Sequence, residues 1–411
     1  MPRVLVIAFH FPPIQGSSGY LRTLKFTRYL PEFGFDPVVL TVHPRAYGQT
    51  NPQLLKQIPT SVPVHRSFAL DAQKHLSWNG KYFGFTSLPD RYATWIPFAI
   101  LDGLRLIRKH RVDAIFSTYP IPSAHIIGYA LAKLTGKPWV ADFRDPMWDE
   151  YVTASSSALR ARRMIEAKTL QACSHAILAT AGMEALFHRR YPQVSKSKMS
   201  VILNGFDEAD FANIVSQPQH NHTPVTLIHA GLLEQVDRDP IPFFHGIRLG
   251  MDKGFIREDQ LRVHLIGLGN NTIYQTEIEK LSLSNVVFLL PPIAYSEALQ
   301  HMADADVLLL FQGSSCDAQI PAKLYEYLRI GKPILAMTTL DGETGKMLLK
   351  TKAGQVVSPS DPEVIANTLK DFIHKIENGE VIPTVQPEIA ARFSRREQTQ
   401  ELSLLLAKQL A

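Results

Sequence analysis

The stretch from Gln319 to Ala336 contains residue types that suit binding of a phosphate and a sugar. Apolar residues recur at helical spacing between Pro321, which fits the first turn of a helix, and Gly331, which ends it. No side chain that caps helices well stands directly before Pro321, so the first-turn amides should remain open to an anion. One turn further, Glu326 is placed to accept hydrogen bonds from sugar hydroxyls. This arrangement predicts a nucleotide-sugar site, with the diphosphate on the helix end and the ribose on Glu326.

A second group of charged residues follows a predicted strand that leads into Asp142. Arg144 and Asp145 stand at the carboxyl end of that strand, which is where open α/β sheets bind ligands. A carboxylate and an arginine in such a place can provide acid or base catalysis and stabilise developing charge. The alternative is a structural ion pair of Arg144 with Asp142 or Asp145.

His125 is a further candidate for a catalytic role. It lies in the first turn of a predicted helix that runs from Ser123, the expected N-cap, to about Leu134. A single histidine in this position is more often structural than catalytic, so both interpretations stay open.

A loop rich in glycine and serine joins the first predicted strand to the first helix. Gly16, Ser17 and Gly19 either let the backbone approach a ligand or simply form the turn. The loop is not G-x-G-x-x-G and no acidic residue ends the next strand, which argues against a nicotinamide site. Two basic residues inside the helix, Arg22 and Lys25, either neutralise a phosphate or lie exposed.

Strands and helices alternate along both halves of the chain, which predicts an α/β protein with parallel sheets. The first series ends at the turn Asn204–Asp207, and polar residues from 216 to 223 continue as a linker. A second series restarts at Val225. An amphipathic helix after Pro387 is expected to end the chain.

Length and composition indicate a soluble protein of two domains. The chain has 411 residues, of which 45% are hydrophobic and 20% charged. The sequence has no run of about 18 apolar residues, and the short apolar run at the start has no cleavage site, so we expect neither a membrane span nor a signal peptide. Two cysteines, Cys173 and Cys316, form no metal or disulfide pattern, which favours a reducing cytoplasm.

Charge is divided unevenly between the two halves. Residues 1–205 hold 25 Lys and Arg against 12 Asp and Glu, a net charge of +13, and the remainder holds 18 against 26, a net charge of −8. Basic residues concentrate at 101–111 and 158–168, beside apolar ones. The pattern indicates either an anionic partner, for which we predict the inner surface of a membrane and no nucleic acid, or two solvated helix faces.

The run P-A-K-L-Y-E-Y-L-x-x-G-K-P at 321–333 resembles the donor-site signature of group 1 GT-B-fold glycosyltransferases, family four of the retaining enzymes. That signature has two glutamates separated by seven residues. Glu326 matches the second, and the first falls on Ala318, next to Asp317. The cluster D-F-R-D-P-M-W at 142–148 resembles the D-x-R-D-P-W of bacterial polysaccharide glycosyltransferases. Other members of the family carry a histidine near the position of Arg144.

The resemblance implies a GT-B fold of two Rossmann-like domains facing a cleft. We expect an acceptor-side domain at 1–205, a nucleotide-sugar domain at 206–385, and a helix at 386–411 that crosses back. Of the candidate catalytic residues Asp145, Arg144 and His125, Asp145 is the first choice. The glycine loop would face the cleft. The donor-binding residues would be Gly231, Arg238, Gly267, Pro321, Ala322, Lys323 and Glu326.

The implied reaction moves a sugar from a nucleotide sugar to a saccharide or a lipid-linked acceptor, in cell-surface polysaccharide or glycolipid synthesis. We expect no metal and no cofactor besides the donor, because no Asp-x-Asp site stands in a matching context. For Arg238 the alternative is a surface ion pair with Asp237 or Asp239. For the whole protein the alternatives are a sugar-nucleotide epimerase of the same fold and a non-catalytic protein that binds nucleotide or glycan.

Overall fold

Short apolar runs alternate with amphipathic helices in the computed structural model, which describes residues 1–16, 19–77, 87–149, 155–215, 223–267 and 272–411. The described chain divides into two units. One comprises Met1–Asn204 and Arg395–Ala411, and the other comprises Gly205–Ser394. Each unit has its own parallel sheet, as the alternation of strands and helices predicts.

The first unit is built on seven parallel strands in the order β3-β2-β1-β4-β5-β6-β7. The strands are β1 (Arg3–Ala8), β2 (Asp36–Val42), β3 (Val64–Ser67), β4 (Ala114–Thr118), β5 (Trp139–Phe143), β6 (His175–Leu178) and β7 (Met199–Val201). Helices of this unit are α1 (Gly19–Tyr29), α2 (Ala72–His75), α3 (Trp95–His110), α4 (Pro122–Thr135), α5 (Ser156–Ala172) and α6 (Ala181–Arg190). Apart from Arg3, the central strands β1, β4 and β5 are buried because helices cover both faces of the sheet.

The second unit is built on six parallel strands in the order β10-β9-β8-β11-β12-β13. The strands are β8 (Val225–Ala230), β9 (Leu261–Ile266), β10 (Val287–Leu290), β11 (Val307–Phe311), β12 (Ile334–Met337) and β13 (Gly354–Val357). The helices are α7 (Ile241–Asp252), α8 (Thr272–Lys280), α9 (Tyr295–Asp304), α10 (Ala322–Ile330), α11 (Glu343–Thr351), α12 (Pro362–Glu377) and α13 (Pro387–Ala391).

Both sheets have a point at which the strand order reverses, between β1 and β4 in the first unit and between β8 and β11 in the second. On either side of such a point the connecting helices lie on opposite faces of the sheet. The turns that follow the two central strands therefore separate, and ligands of open α/β sheets bind in the crevice between them. The predicted site residues lie at the carboxyl edges of the two sheets.

The end of the chain differs from the single returning segment predicted at 386–411. Helix α13 belongs to the second unit, whereas the last helix, α14 (Arg395–Leu410), belongs to the first. Leu402 and Leu406 of α14 are buried in one apolar cluster with residues of β1 and α1, which explains why α14 belongs with the first unit. No helix in the described part of the chain is both long enough and apolar enough to cross a membrane.

Candidate active site

Helix α10 has the open amino end that the sequence predicts. Its N-cap is Pro321, and no side chain caps the first turn in the described structure. Ala322 and Lys323, the first two helical residues, are partly exposed. Gly331 ends the helix with a left-handed φ of 75°. The uncapped amides and the positive end of the helix dipole form a setting that favours an anion.

Gly231 and Gly267 form two adjoining turns at the carboxyl edge of the second sheet. At Gly231 φ is +145°, and a Cβ atom would come within 2.2 Å of Lys323 Nζ. Glycine suits this position because other residues rarely adopt its backbone angle, and a larger residue would also displace the end of the Lys323 side chain. Gly267 has φ +84°, and a Cβ atom there would lie 3.6 Å from the Gly231 nitrogen. The structure therefore brings together Gly231, Gly267 and Lys323.

His229, near the end of β8, is a site residue that sequence reasoning missed. Its side chain is buried, with Nε2 3.1 Å from Lys323 Nζ and Nδ1 3.0 Å from the Leu309 carbonyl oxygen. A carbonyl only accepts hydrogen bonds, so Nδ1 carries the proton and Nε2 accepts from Lys323. The sequence signal that could have identified His229 is a polar residue among the last positions of an apolar strand.

The basic groups of this site have lowered pKa values. Burial lowers the pKa of Lys323 to about 7, with the charge of Arg238 adding to the effect and that of Glu326 opposing it. Burial, assisted by the charges of Lys323 and Arg238, lowers the pKa of His229 well below its ordinary value. His229 is therefore neutral at physiological pH.

Arg238 precedes α7 and forms an ion pair, although not with the partners expected from the sequence. Its Nη1 lies 3.3 Å from Glu234 Oε1, and its side chain is 35% exposed. Asp237 instead accepts from the Ser315 hydroxyl, and Asp239 accepts from the Ile241 amide at 3.0 Å. An exposed pair of this kind contributes little to stability, so Arg238 can exchange Glu234 for a phosphate.

We predict that Arg238→Ala lowers kcat more than it weakens binding of the donor's uncharged part. The guanidinium would stabilise charge on the leaving diphosphate, and no second basic residue stands at Leu232. Steady-state kinetics with varied donor would measure this effect. Arg248→Ala is a matched control, because Arg248 forms a similar exposed pair with Asp252 on α7. Unchanged kcat/KM in Arg238→Ala would restore the interpretation of a surface ion pair.

Glu326 lies one turn inside α10 and is partly exposed. It accepts a hydrogen bond from the Tyr295 hydroxyl at 2.7 Å. Asp317, the acidic residue beside Ala318, accepts from the Thr339 hydroxyl, and its carbonyl oxygen accepts from the Glu343 amide at 2.8 Å. Asp317 thus joins β12 and α11 to the loop before α10. Its contacts favour a structural role, which leaves Glu326 as the acidic residue of the motif placed at α10.

In the first unit, Arg144 and Asp145 directly follow β5, as predicted. Arg144 Nη1 donates a hydrogen bond to the Gly19 carbonyl oxygen, which attaches the glycine loop to this strand end. Burial lowers the pKa of Arg144 and raises that of Asp145, and the attraction between the two charges opposes both shifts. A carboxyl group with a raised pKa at a strand end is a candidate for acid or base catalysis. Gly16 has a left-handed φ of 80°, and Ser17 lies outside the described residues.

The structural ion pair of this region involves Arg22 and Asp142. Arg22 Nη2 lies 2.9 Å from Asp142 Oδ1, both side chains are 1% exposed, and Thr118 donates to Oδ2 at 2.7 Å. Arg22 also donates to the carbonyl oxygens of Ile202 and Leu203. Arg22 is therefore committed to holding α1 against β5 and is not available to neutralise a phosphate.

His10 supplies a histidine beside Arg144 that the sequence alone did not reveal. It follows β1, the strand on one side of the reversal point. Burial and the charge of Arg144 lower the pKa of His10 to about 4, so the imidazole is neutral at physiological pH. The missed signal was its position directly after a central strand.

His125 is enclosed in the core of the first unit. Its side chain is fully buried, Nδ1 lies 2.7 Å from the Ser117 hydroxyl, and Nε2 has no partner among the described residues. The ring packs 4.8 Å from that of Phe143, measured between centroids, and burial lowers the pKa of His125 to about 3. These surroundings favour the structural interpretation.

Helix α4 is capped by Asp90 rather than by Ser123. Its N-cap residue is Ile121, and no hydrogen bond from that side chain caps the helix. Asp90 Oδ2 accepts from both the amide and the hydroxyl of Ser123 at 2.8 Å. Asp90 therefore fixes the start of α4 from a loop that lies far from it in sequence.

Residues 4–205 match the model of the family described as Glycosyl transferase 4-like domain. No curated protein matches the chain in sequence. The structure is similar to sucrose-phosphate synthase from Thermosynechococcus elongatus, with 15% identity, a TM-score of 0.67, and 99% of each chain covered. It is also similar to HepE from Anabaena in complex with UDP-glucose, with 16% identity, a TM-score of 0.65, and 99% of each chain covered.

A third similar structure is a mutant of TarM from S. aureus in complex with fondaparinux, α-GlcNAc-glycerol and UDP. It shares 9% identity and a TM-score of 0.60, and the match covers 100% of this chain and 99% of that one. These likenesses show the GT-B fold. Residues 4–205 belong to the glycosyltransferase family whose model they match.

Proposed function

We propose that this protein transfers a sugar from a nucleotide-sugar donor held by the second unit to a saccharide or lipid-linked acceptor. The observation that carries the proposal is the uncapped end of α10, with Lys323 held over Gly231 and Glu326 one turn further. The helix amides and Lys323 would bind the diphosphate, and Glu326 would accept hydrogen bonds from the ribose. Similar structures contain UDP-glucose or UDP, which supports UDP as the first ligand to try.

The catalytic groups would come from the strand-end residues of the first unit. Asp145 would act on the reacting groups, with Arg144 balancing its charge. Arg238, Lys323 and the α10 amides would stabilise the leaving diphosphate without a metal ion. Retention of the anomeric configuration is the outcome that the family implies.

The test is a ligand screen followed by an assay of products. Thermal shifts with nucleoside diphosphates and their sugars should reveal one stabilising nucleotide, since a ligand at about 100 times its Kd stabilises by about 2.7 kcal/mol. The matching nucleotide sugar is then incubated with and without saccharide and lipid-linked acceptors. Transfer only with an acceptor supports the proposal. A changed nucleotide sugar without acceptor would indicate an epimerase, and binding without turnover a non-catalytic protein.

We further propose that the first unit works at an anionic membrane surface, which suits a lipid-linked acceptor in polysaccharide or glycolipid synthesis. Exposed apolar side chains lie beside exposed basic ones on two of its helices. On α3, Leu101 is 55% exposed, and Arg108 and Lys109 are also exposed. On α5, Met164 is 53% exposed beside the exposed Arg163. Such faces bind interfaces through apolar burial and attraction to anionic lipid.

We predict that the protein sediments with anionic vesicles, and less so as salt is raised. Each basic residue near the surface contributes about 1 kcal/mol, and at physiological ionic strength charges are screened over about 8 Å. Arg108→Glu with Lys109→Glu should release the protein. Lys350→Glu with Lys352→Glu, in the second unit, is the matched control and should not. Equal sedimentation with neutral and anionic lipid, or none with either, would contradict the membrane proposal.

A further inference from the structure

The Lys323 side chain is confined on more than one side, which is unusual for a long flexible side chain beside an open helix end. Its Nζ lies 3.1 Å from His229 Nε2 and occupies the space that a Cβ atom of residue 231 would need, 2.2 Å away. A lysine has four rotatable bonds and is normally well hydrated, so a fixed position requires specific contacts. Among the described residues, His229 on β8 is the residue whose side chain hydrogen-bonds to Lys323.

The side of the His229 ring that faces away from Lys323 is held by contacts of its own. Its Nδ1 donates to the Leu309 carbonyl oxygen at 3.0 Å, and the ring packs against Phe311 with centroids 5.2 Å apart. The same carbonyl accepts from the Tyr327 hydroxyl at 3.0 Å. The hydrogen bond to the Leu309 carbonyl sets the tautomer, and together with the packing on Phe311 it sets the direction of the imidazole, so that the lone pair on Nε2 points at Lys323.

We propose that His229 is a positioning residue of the diphosphate site, which holds Lys323 at the open end of α10 by accepting its hydrogen bond as a neutral imidazole. This inference rests on the proposed function. It predicts that the ligand is an anion, such as a nucleoside diphosphate, that accepts a hydrogen bond from the Lys323 ammonium group. It also predicts that the affinity for this ligand depends on His229, although His229 does not touch the ligand.

Binding of a diphosphate beside Lys323 should be coupled to the uptake of a proton. The charged and titratable groups around Lys323 are His229 from β8, Arg238 from the loop after β8, and Glu326 from its own helix. Burial holds the pKa of Lys323 at about 7, so at pH 8 most molecules have a neutral lysine. A diphosphate favours the charged form, and its binding at pH 8 should therefore take up close to one proton per site.

The experiment is titration calorimetry with UDP at pH 8 in two buffers of different ionisation enthalpy, on wild type, His229→Leu, Lys323→Met and the double variant. UDP has already lost its last phosphate proton at this pH, since that pKa is about 6. We expect His229→Leu to weaken UDP binding about tenfold, in the range of a charge-assisted hydrogen bond, and to leave uridine binding unchanged in competition against UDP. The double variant should bind no more weakly than Lys323→Met alone.

Proton uptake separates positioning from mere support of the fold. In His229→Leu the released lysine regains an ordinary pKa in water, so uptake should disappear although Lys323 is present. Tyr327→Phe is the matched control, because it removes the other hydrogen bond to the Leu309 carbonyl and should change neither UDP affinity nor uptake. Thermal unfolding of each variant checks the fold.

If Glu326→Ala binds UDP more weakly than wild type does, but His229→Leu keeps both affinity and proton uptake, the role of His229 is overturned and the proposed function stands. If UDP, GDP and ADP all fail to bind wild type, the donor site is misplaced and both proposals are overturned together. Weaker binding of UDP and uridine alike in His229→Leu would also overturn the inference, because it would show general damage to the site.

Discussion

The substitution Asp145→Asn is expected to lower kcat about 10²- to 10⁴-fold, the range of a lost general acid or base. The change keeps the shape of the side chain and removes its ionisable group. Asp145 directly follows β5, where burial raises its pKa against the opposing charge of Arg144. Initial rates of sugar transfer at saturating donor would measure the loss.

Asp149→Asn is the matched control for this prediction, because it makes the same change four residues further along the same loop. It should stay within a few-fold of wild type. Circular dichroism would show that both variants fold. Full activity in Asp145→Asn would remove this residue from the catalytic machinery and make His10, the neutral histidine beside Arg144, the next residue to substitute.

Glu326→Ala is expected to weaken binding of nucleoside diphosphate by about 1.5–3 kcal/mol, which is about 10- to 150-fold in Kd. The carboxylate would accept hydrogen bonds from the ribose hydroxyls, and an alanine leaves those hydroxyls without a partner. Glu326→Gln retains an oxygen acceptor and should lose less. Tyr295→Phe removes only the hydroxyl that donates to Glu326 and is the control for indirect effects.

The ribose contact can be isolated with a second ligand. Dideoxyuridine diphosphate lacks both ribose hydroxyls, so wild type should bind it more weakly than UDP, whereas Glu326→Ala should bind the two alike. Calorimetry on wild type and Glu326→Ala, each with UDP and with dideoxyuridine diphosphate, measures the coupling free energy between Glu326 and the ribose hydroxyls directly. An equal preference for UDP in wild type and Glu326→Ala would show that the ribose lies elsewhere.

Local sequence patterns were sufficient to predict the position of a helix where proline and glycine mark its ends. Helix α10, delimited by Pro321 and Gly331, lies where the sequence predicts it. The strands β3 and β13 cannot be recognised from an apolar run, because both are short edge strands with polar or small residues, such as His65 and Gly354. The parallel sheets followed from the alternation of strands and helices, which needs no knowledge of individual contacts.

Contacts between distant residues could not be predicted in the same way. His229 and Lys323 are 94 residues apart, and the pair Arg22–Asp142 spans 120 residues. Nothing in the local pattern distinguishes an arginine that is buried in an ion pair from one that would bind phosphate. The cap of α4 by Asp90 likewise comes from a loop 33 residues upstream of Ser123. The sequence therefore located the strand ends, and the fold decided which side chains meet there.

The most direct test of the donor site is amide hydrogen exchange with and without UDP. The first turn of α10 lacks a side-chain cap, so a diphosphate bound there should slow exchange of the amides of Ala322 and Lys323. The Ile241 amide at the start of α7 is the internal control, because Asp239 already accepts its hydrogen bond and it should not respond. Slowed exchange at Ala322 and Lys323 with no change at Ile241 is the predicted result. Unchanged exchange at Ala322 and Lys323 under saturating UDP, with protection elsewhere, would contradict the placement of the donor phosphates on this helix.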